Sequence, residues 1–133
     1  MSAVAQAVWN RSTPLSTSAE WLRDSLAMLK RLGEFSQGWD SYDSPPIAAP
    51  ALSAANELIL RAAEIRTLRP EIQPVSGGGL QIEWRLASTE LELMISPDGR
   101  VFYMSLLPDG QVFNGTMSGE SAAELAAILF PGE

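Results

Sequence analysis

The sequence predicts an α+β fold in which two N-terminal helices pack on a four-stranded antiparallel β-meander, followed by a C-terminal helix. Apolar residues recur at helical spacing up to residue 68, and their period changes to two after Gly79. Two similar Pro-Asp-Gly turns then separate the later apolar runs. We expect one domain over residues 14–133, preceded by a mobile arm over residues 1–13, which lack periodicity.

The two helices are predicted over about residues 18–33 and 51–68 from the spacing of their apolar residues. Thr17 and Glu20 have the spacing of a capping box at the start of the first helix. Prolines at positions 70 and 74 stop the second. The helix sides expected to be buried carry Trp21, Leu22, Ser25, Leu26, Met28, Leu29 and Leu32 in the first helix and Leu52, Ala55, Leu58, Ile59, Ala62 and Ile65 in the second.

The first two strands follow the run Gly77–Gly79, which we read as a flexible connection, and a tight turn at Ala87 and Ser88 joins them. One register places every large apolar residue of both strands on the same face, whereas a slip by one residue would invert the set. The predicted opposite pairs are Arg85 with Glu90, Trp84 with Leu91, Ile82 with Leu93 and Leu80 with Ile95.

The two Pro-Asp-Gly turns, Ser96 to Arg100 and Leu107 to Gln111, read as three-residue hairpin loops in which glycine takes the left-handed position. Strands three and four are therefore predicted over about residues 100–107 and 111–117. Ser118 can cap the C-terminal helix, which is predicted over about residues 119–130.

This arrangement divides the sheet into a face that the first two helices should cover and an opposite face that is partly apolar. The covered face is expected to collect Leu80, Ile82, Trp84, Leu91, Leu93, Ile95, Val101, Tyr103 and Phe113. The opposite face combines Gln81, Glu83, Arg85, Glu90 and Glu92 with Met94, Phe102, Met104, Leu106 and Val112. Either the C-terminal helix covers the apolar part through Leu125, Ile128 and Leu129, or a partner does.

The loop from Gly38 to Pro46 contains Asp40 and Asp43 beside two serines, and carboxylate and hydroxyl oxygens are ligands for hard cations. The same residues are typical of turns and caps, so a structural loop is the first interpretation and a metal site is the alternative. We expect Trp39 to fill the helix–sheet junction with its indole N–H bonded to a carbonyl. Contact with a protein partner through Trp39 and Tyr42 is a further possibility.

Composition excludes most enzyme chemistry. The chain has no Cys and no His, which removes thiol nucleophiles, thiolate metal sites and the commonest general base, and no cofactor is expected. Glu83 and Glu92 face each other in the predicted register and could perform acid–base hydrolysis, although neighbouring Arg85 and open access to water favour an ordinary mixed-charge surface. We therefore predict no catalytic residues.

The motifs Gly38-Trp39-Asp40, Pro45-Pro46, Gly77-Gly78-Gly79 and Glu83-Trp84 resemble those of a group of small bacterial proteins. In that group a Gly-Trp-Asp or Gly-Trp-Asn loop and a glycine-rich Glu-Trp strand recur. The resemblance covers about residues 36–100 and implies that Trp39 and Trp84 belong to one structural unit. It carries no catalytic residue over to this chain.

The net charge of −7 disfavours binding to nucleic acids and to anionic membranes, and no targeting segment or membrane-length apolar run is visible. We expect a cytoplasmic, non-enzymatic module that binds a protein, in the manner of an antitoxin or immunity protein. The partner-binding residues are predicted to be Met94, Phe102, Met104, Leu106, Val112, Trp39 and Tyr42. The alternatives are a carboxylate-based metal-binding module or small hydrolase, and a homodimer formed through the apolar sheet face.

Overall fold

A computed structural model describes residues 18–41, 43–64, 69–86 and 89–117. These residues form two helices and one five-stranded antiparallel sheet, so the predicted α+β class is confirmed. The predicted arm over residues 1–13, the cap at Thr17 and the C-terminal helix over residues 119–130 lie outside the described residues. Neither described helix combines the length and the apolar character that crossing a membrane requires.

Helix α1 spans Ser18–Leu32 and helix α2 spans Ala49–Glu64. The first agrees with the predicted bounds. The second starts two residues earlier than predicted, because a proline at position 50 fits the first helical turn, where backbone N–H groups have no partner within the helix. Residues 65–68, the predicted end of this helix, are not among those described.

The sheet has the strand order β1-β2-β3-β4-β5, so each strand pairs with its neighbours in sequence. The strands are β1 Glu71–Val75, β2 Gly79–Leu86, β3 Thr89–Ile95, β4 Val101–Leu106 and β5 Val112–Met117. The last four correspond to the four predicted strands.

Strand β1 is a correction to the predicted four-stranded sheet. We expected Pro74 only to stop the preceding helix, yet it lies in β1 opposite Leu80. A proline is tolerated there because β1 lies at an edge of the sheet, where an N–H can be missing without breaking an internal ladder. The glycine run is consequently the β1–β2 hairpin turn, in which Gly78 N–H donates to Val75 C=O at 3.3 Å and Gly77 and Gly78 have positive φ.

The predicted register of β2 and β3 is confirmed at all four predicted pairs, including Trp84 opposite Leu91 and Arg85 opposite Glu90. Both Pro-Asp-Gly turns also have the predicted geometry. Gly99 and Gly110 have positive φ, and each donates its N–H to the residue three positions earlier. The two hairpins therefore set the register of the rest of the sheet.

The hydrophobic core lies between the helices and one face of the sheet. Trp84, Ile82 and Leu93 from the sheet are fully buried there, as is Trp21 of α1. Phe113 is a correction: it lies on the helix side of β5, opposite Ser105, but 51% of its surface is exposed. The reason is that α1 packs on β1 and α2 packs on β2 and β3, so that this helix layer covers the other end of the sheet.

Candidate functional site

The sheet face that points away from the helices, which we call the outer face, is apolar along β4 and at Val112 of β5, and we call this part the apolar half. The other two outward residues of β5, Asn114 and Thr116, are polar. The alternation of side chains along the paired strands places Phe102, Met104 and Leu106 of β4 on this face with Val112 of β5. Between 39% and 51% of each of these side chains is exposed. Met94 of β3 lies opposite Phe102 and is half-buried. The structure thus brings together all five sheet residues of the predicted partner-binding set.

A shallow depression of about 290 Å³ spans β3, β4 and β5 on the outer face. Met104 and Asn114, which are paired across β4 and β5, line it together with Phe102, and Glu92 of β3 also contributes. Gly115 lies in the strand beside them. The depression is large enough for an apolar side chain and has a carboxylate in its lining.

The other half of the outer face, on β1, β2 and β3, is acidic. Glu71, Glu83 and Glu92 lie in one row across the three strands, because Glu83 pairs with both of the others. Glu90 lies on the same face, opposite Arg85. Among the described residues this half therefore carries four carboxylates and one guanidinium, 4 − 1 = 3 net negative charges.

The predicted hydrolase pair, Glu83 and Glu92, is adjacent in the sheet, but its two carboxylates have different hydrogen-bond donors. Gln81 Nε2 donates to Glu92 Oε2 at 2.9 Å, and Arg85 Nη2 lies 3.5 Å from Glu83 Oε2. A pair of this kind performs acid–base chemistry when the two groups share one proton or one substrate. The separate donors are typical of a mixed-charge surface instead.

Asp40 holds the Gly-Trp-Asp loop to the β1–β2 turn. Its carboxylate accepts hydrogen bonds from Ser44 N at 3.2 Å, from Ser44 Oγ at 2.6 Å and from the Ser76 hydroxyl. Ser44 Oγ in turn accepts a bond from Gly77 N at 3.2 Å. We call this set, Asp40, Ser44, Ser76 and Gly77, the Asp40 junction, because it joins two segments that are more than thirty residues apart.

The structure gives no support to the alternative metal site at Asp40 and Asp43. The Asp40 oxygens already accept bonds from hydroxyl and amide donors, while Asp43 Oδ1 accepts a bond from Gln37 Nε2 at 3.3 Å. The described residues contain no group of three acidic side chains that could hold a metal ion. The carboxylates of this loop stabilise its conformation.

Trp39 belongs to the core side of the molecule and not to the outer face. Its indole Nε1–H donates to Pro45 C=O at 3.0 Å, as predicted, and its ring lies 5.2 Å from that of Phe35. It packs against the buried cluster that contains Trp84, so the two tryptophans are parts of one packed unit. Tyr42, the other loop residue of the predicted binding set, lies outside the described residues.

Two residues of these sites were not predicted from the sequence. Glu71 extends the acidic row, and Ser76 supplies a donor to Asp40. Both follow from the undetected strand β1. The alternation of exposed polar and half-buried apolar residues from Glu71 to Pro74 is the sequence pattern that indicates this strand.

No family model, no curated protein and no solved structure matches this chain.

Proposed function

We propose that the chain is a non-enzymatic module that binds another protein through the apolar half of its outer face. The observation that carries this proposal is the exposure of Phe102, Met104, Leu106 and Val112 side by side on one face of the sheet. Contiguous exposed apolar side chains on a folded domain usually mark an interaction surface. Methionine suits such a surface because its flexible side chain adapts to a partner.

The charge of the whole chain supports an inhibitor-like role. A net charge of −7 favours association with a basic protein, since opposite surfaces attract over long distances and orient the encounter. Antitoxins and immunity proteins that neutralise basic toxins use this principle. We propose such a role for this module, and we assign it no nucleic-acid ligand and no cofactor.

The proposal is tested by affinity capture from the native host with the wild type and with a Phe102→Glu, Met104→Glu double variant. A partner that the wild type retains at physiological salt should be lost by the double variant, because two charges would be buried in the interface. Leu60→Glu is the matched control, since Leu60 is 37% exposed on α2, away from the sheet. Retention of every captured protein by the double variant would refute the proposal.

Self-association through the same apolar residues is the second candidate, and their exposure favours it as well. Light scattering distinguishes the two. A homodimer predicts twice the chain mass for the wild type and the single-chain mass for the double variant. A single-chain mass for both proteins would exclude self-association through this surface.

A further inference from the structure

The boundary between the two halves of the outer face runs parallel to the strands. One row of paired residues crosses this boundary. It contains Glu83 of β2 and Glu92 of β3 on one side, and Met104 of β4 and Asn114 of β5 on the other. The next row leads from Arg85 and Glu90 to apolar residues of β4 and β5. A ligand lying along β4 therefore has apolar side chains beneath it and the carboxylates of Glu90 and Glu92 on one side. On its other side it meets Val112, Asn114 and Thr116 of β5.

The shape of this surface favours a helix as the ligand. A peptide strand lying flat on a sheet face would leave its backbone N–H and C=O groups without partners, whereas a helix satisfies these groups internally. The six residues of β4 extend about 20 Å, which is the length of a helix of about 13 residues. Such a helix can place one large apolar residue in the depression beside Met104.

The charges decide what kind of helix fits. A second copy of this chain would bring another acidic face against the first, because each copy carries net −7. The segment over residues 118–133 contains three Glu and no Lys or Arg, so it does not complement the acidic half either. A segment with an apolar stripe and with Lys or Arg along one flank complements both halves.

Resting on the proposed function, we infer that the partner presents an amphipathic helix with an apolar stripe and a basic flank. The stripe packs on Phe102, Met104 and Val112, and the basic flank pairs with Glu90 and Glu92 at the boundary. Each half of the outer face contributes separately. The apolar half supplies contact area, and the carboxylates fix the direction in which the helix can lie.

The test uses three synthetic helical peptides of about 14 residues. The first has a leucine stripe and a lysine flank, the second has glutamate in place of lysine, and the third has serine in place of leucine. Each is titrated into the isotopically labelled full chain, and backbone amide shifts are recorded by NMR. The first peptide alone should shift amides of β3, β4 and β5, and its affinity should fall as salt rises.

Charge variants identify the carboxylates that contribute. Glu90→Gln and Glu92→Gln should each weaken binding of the lysine–leucine peptide roughly threefold, as expected for a partly exposed ion pair. Glu57→Gln is the matched control, because it removes the same charge from the exposed side of α2. The Phe102→Glu, Met104→Glu variant should abolish the shifts.

The outcomes separate this inference from the proposed function. If the glutamate–leucine peptide bound as tightly as the lysine–leucine peptide, the inference of a basic flank would be wrong. The proposal that the apolar half is a docking surface would still stand. Shifts confined to the free edge of β5 would indicate addition of a strand and would also overturn it, as would no shift at millimolar peptide. Failure of the proposed function would be seen in a different experiment. In that case the Phe102→Glu, Met104→Glu variant would capture the same proteins as the wild type.

Discussion

At the scale of single residues, the Asp40 junction ties the Gly-Trp-Asp loop to the β1–β2 turn through one carboxylate. Ser44, which donates to Asp40 through both its backbone N–H and its hydroxyl, is buried. Hydrogen bonds to a charged acceptor are stronger than those between neutral groups, and a buried donor that loses its acceptor retains the cost of desolvation. The junction therefore stabilises the loop and the β1–β2 turn together.

Replacing Asp40 should consequently destabilise the fold. We expect Asp40→Ala to lower the free energy of unfolding by about 2 kcal/mol, since it removes the acceptor of charge-assisted bonds from two serines. Urea denaturation followed by tryptophan fluorescence measures the change. Asp43→Asn is the control and should have little effect, because Asp43 is exposed and asparagine tolerates its positive φ of 69°. Equal stability of wild type and Asp40→Ala would contradict this account of the junction.

A second carboxylate is held in the first Pro-Asp-Gly turn. The Ser96 hydroxyl, the Arg100 backbone N–H and the Arg100 guanidinium all donate to Asp98. These bonds lower the pKa of Asp98 from 3.8 to about 2. The second turn has a leucine, Leu107, where the first has Ser96, so it lacks the hydroxyl donor.

The lowered pKa gives a pH dependence with a definite sign. The folded state holds Asp98 ionised more strongly than the unfolded chain does, so its contribution to stability is present above pH about 4 and declines as the pH falls towards 2. The stability difference between wild type and Asp98→Asn should therefore shrink over this range. Carbon NMR titration should also show a higher pKa for Asp98 in Ser96→Ala. An unchanged titration in that variant would exclude the serine as the main cause.

At the scale of elements, the backbone of β3 comes close to Gly79 at the start of β2. A Cβ atom on Gly79 would lie 2.5 Å from the carbonyl oxygen of Ile95 in β3. Because that oxygen belongs to the backbone of a paired strand, it cannot rotate away as a side chain can. A side chain at this position would therefore force the two strands apart locally.

Gly79→Ala should destabilise the protein by roughly 2–3 kcal/mol, since the strands must separate locally to admit the methyl group. Thermal unfolding by circular dichroism measures the loss. Gly33→Ala is the matched control. Its methyl group would meet the end of the Leu52 side chain at 3.2 Å, which can move, so we expect a change within about 1 kcal/mol. Similar melting temperatures for both variants would disprove the steric argument.

The elements that were predicted correctly are those whose pattern of residues is contained within the element and its adjacent turn. Strict alternation fixed the register of β2 and β3, and repeated turn residues fixed the two later hairpins. Strand β1 was missed because Pro74 suggested an interruption, and only its place at the sheet edge makes proline acceptable. The Asp40 junction depends on that strand, so the contact between Asp40 and Ser76 could not be predicted either.

The residues of the candidate site were also predicted from the alternation of side chains along the strands. Alternation alone assigned Phe102, Met104 and Leu106 to the face opposite the core. The exposure of Phe113 could not be predicted, because alternation gives the face of a residue but not the extent of the helices that cover it. Packing between distant elements determines that extent.

At the scale of the whole molecule, the two faces of the sheet should differ in their effect on stability. Leu93 is fully buried on the helix side, and we expect Leu93→Ala to cost about 2–5 kcal/mol through the cavity that it leaves. Phe102→Ser and Met104→Ser on the outer face should each stay within about 1 kcal/mol, since these side chains are already partly in water. Chemical denaturation of the three variants makes the comparison. A large loss from either serine variant would mean that the outer face is part of the core.

The strand order adds a consequence for how the chain reaches its native state. Successive strands pair with each other and are separated by at most five residues along the chain, so no pairing has to wait for a distant part of the chain. Such local pairings close quickly, and the sheet can grow one strand at a time in the order in which the ribosome releases it.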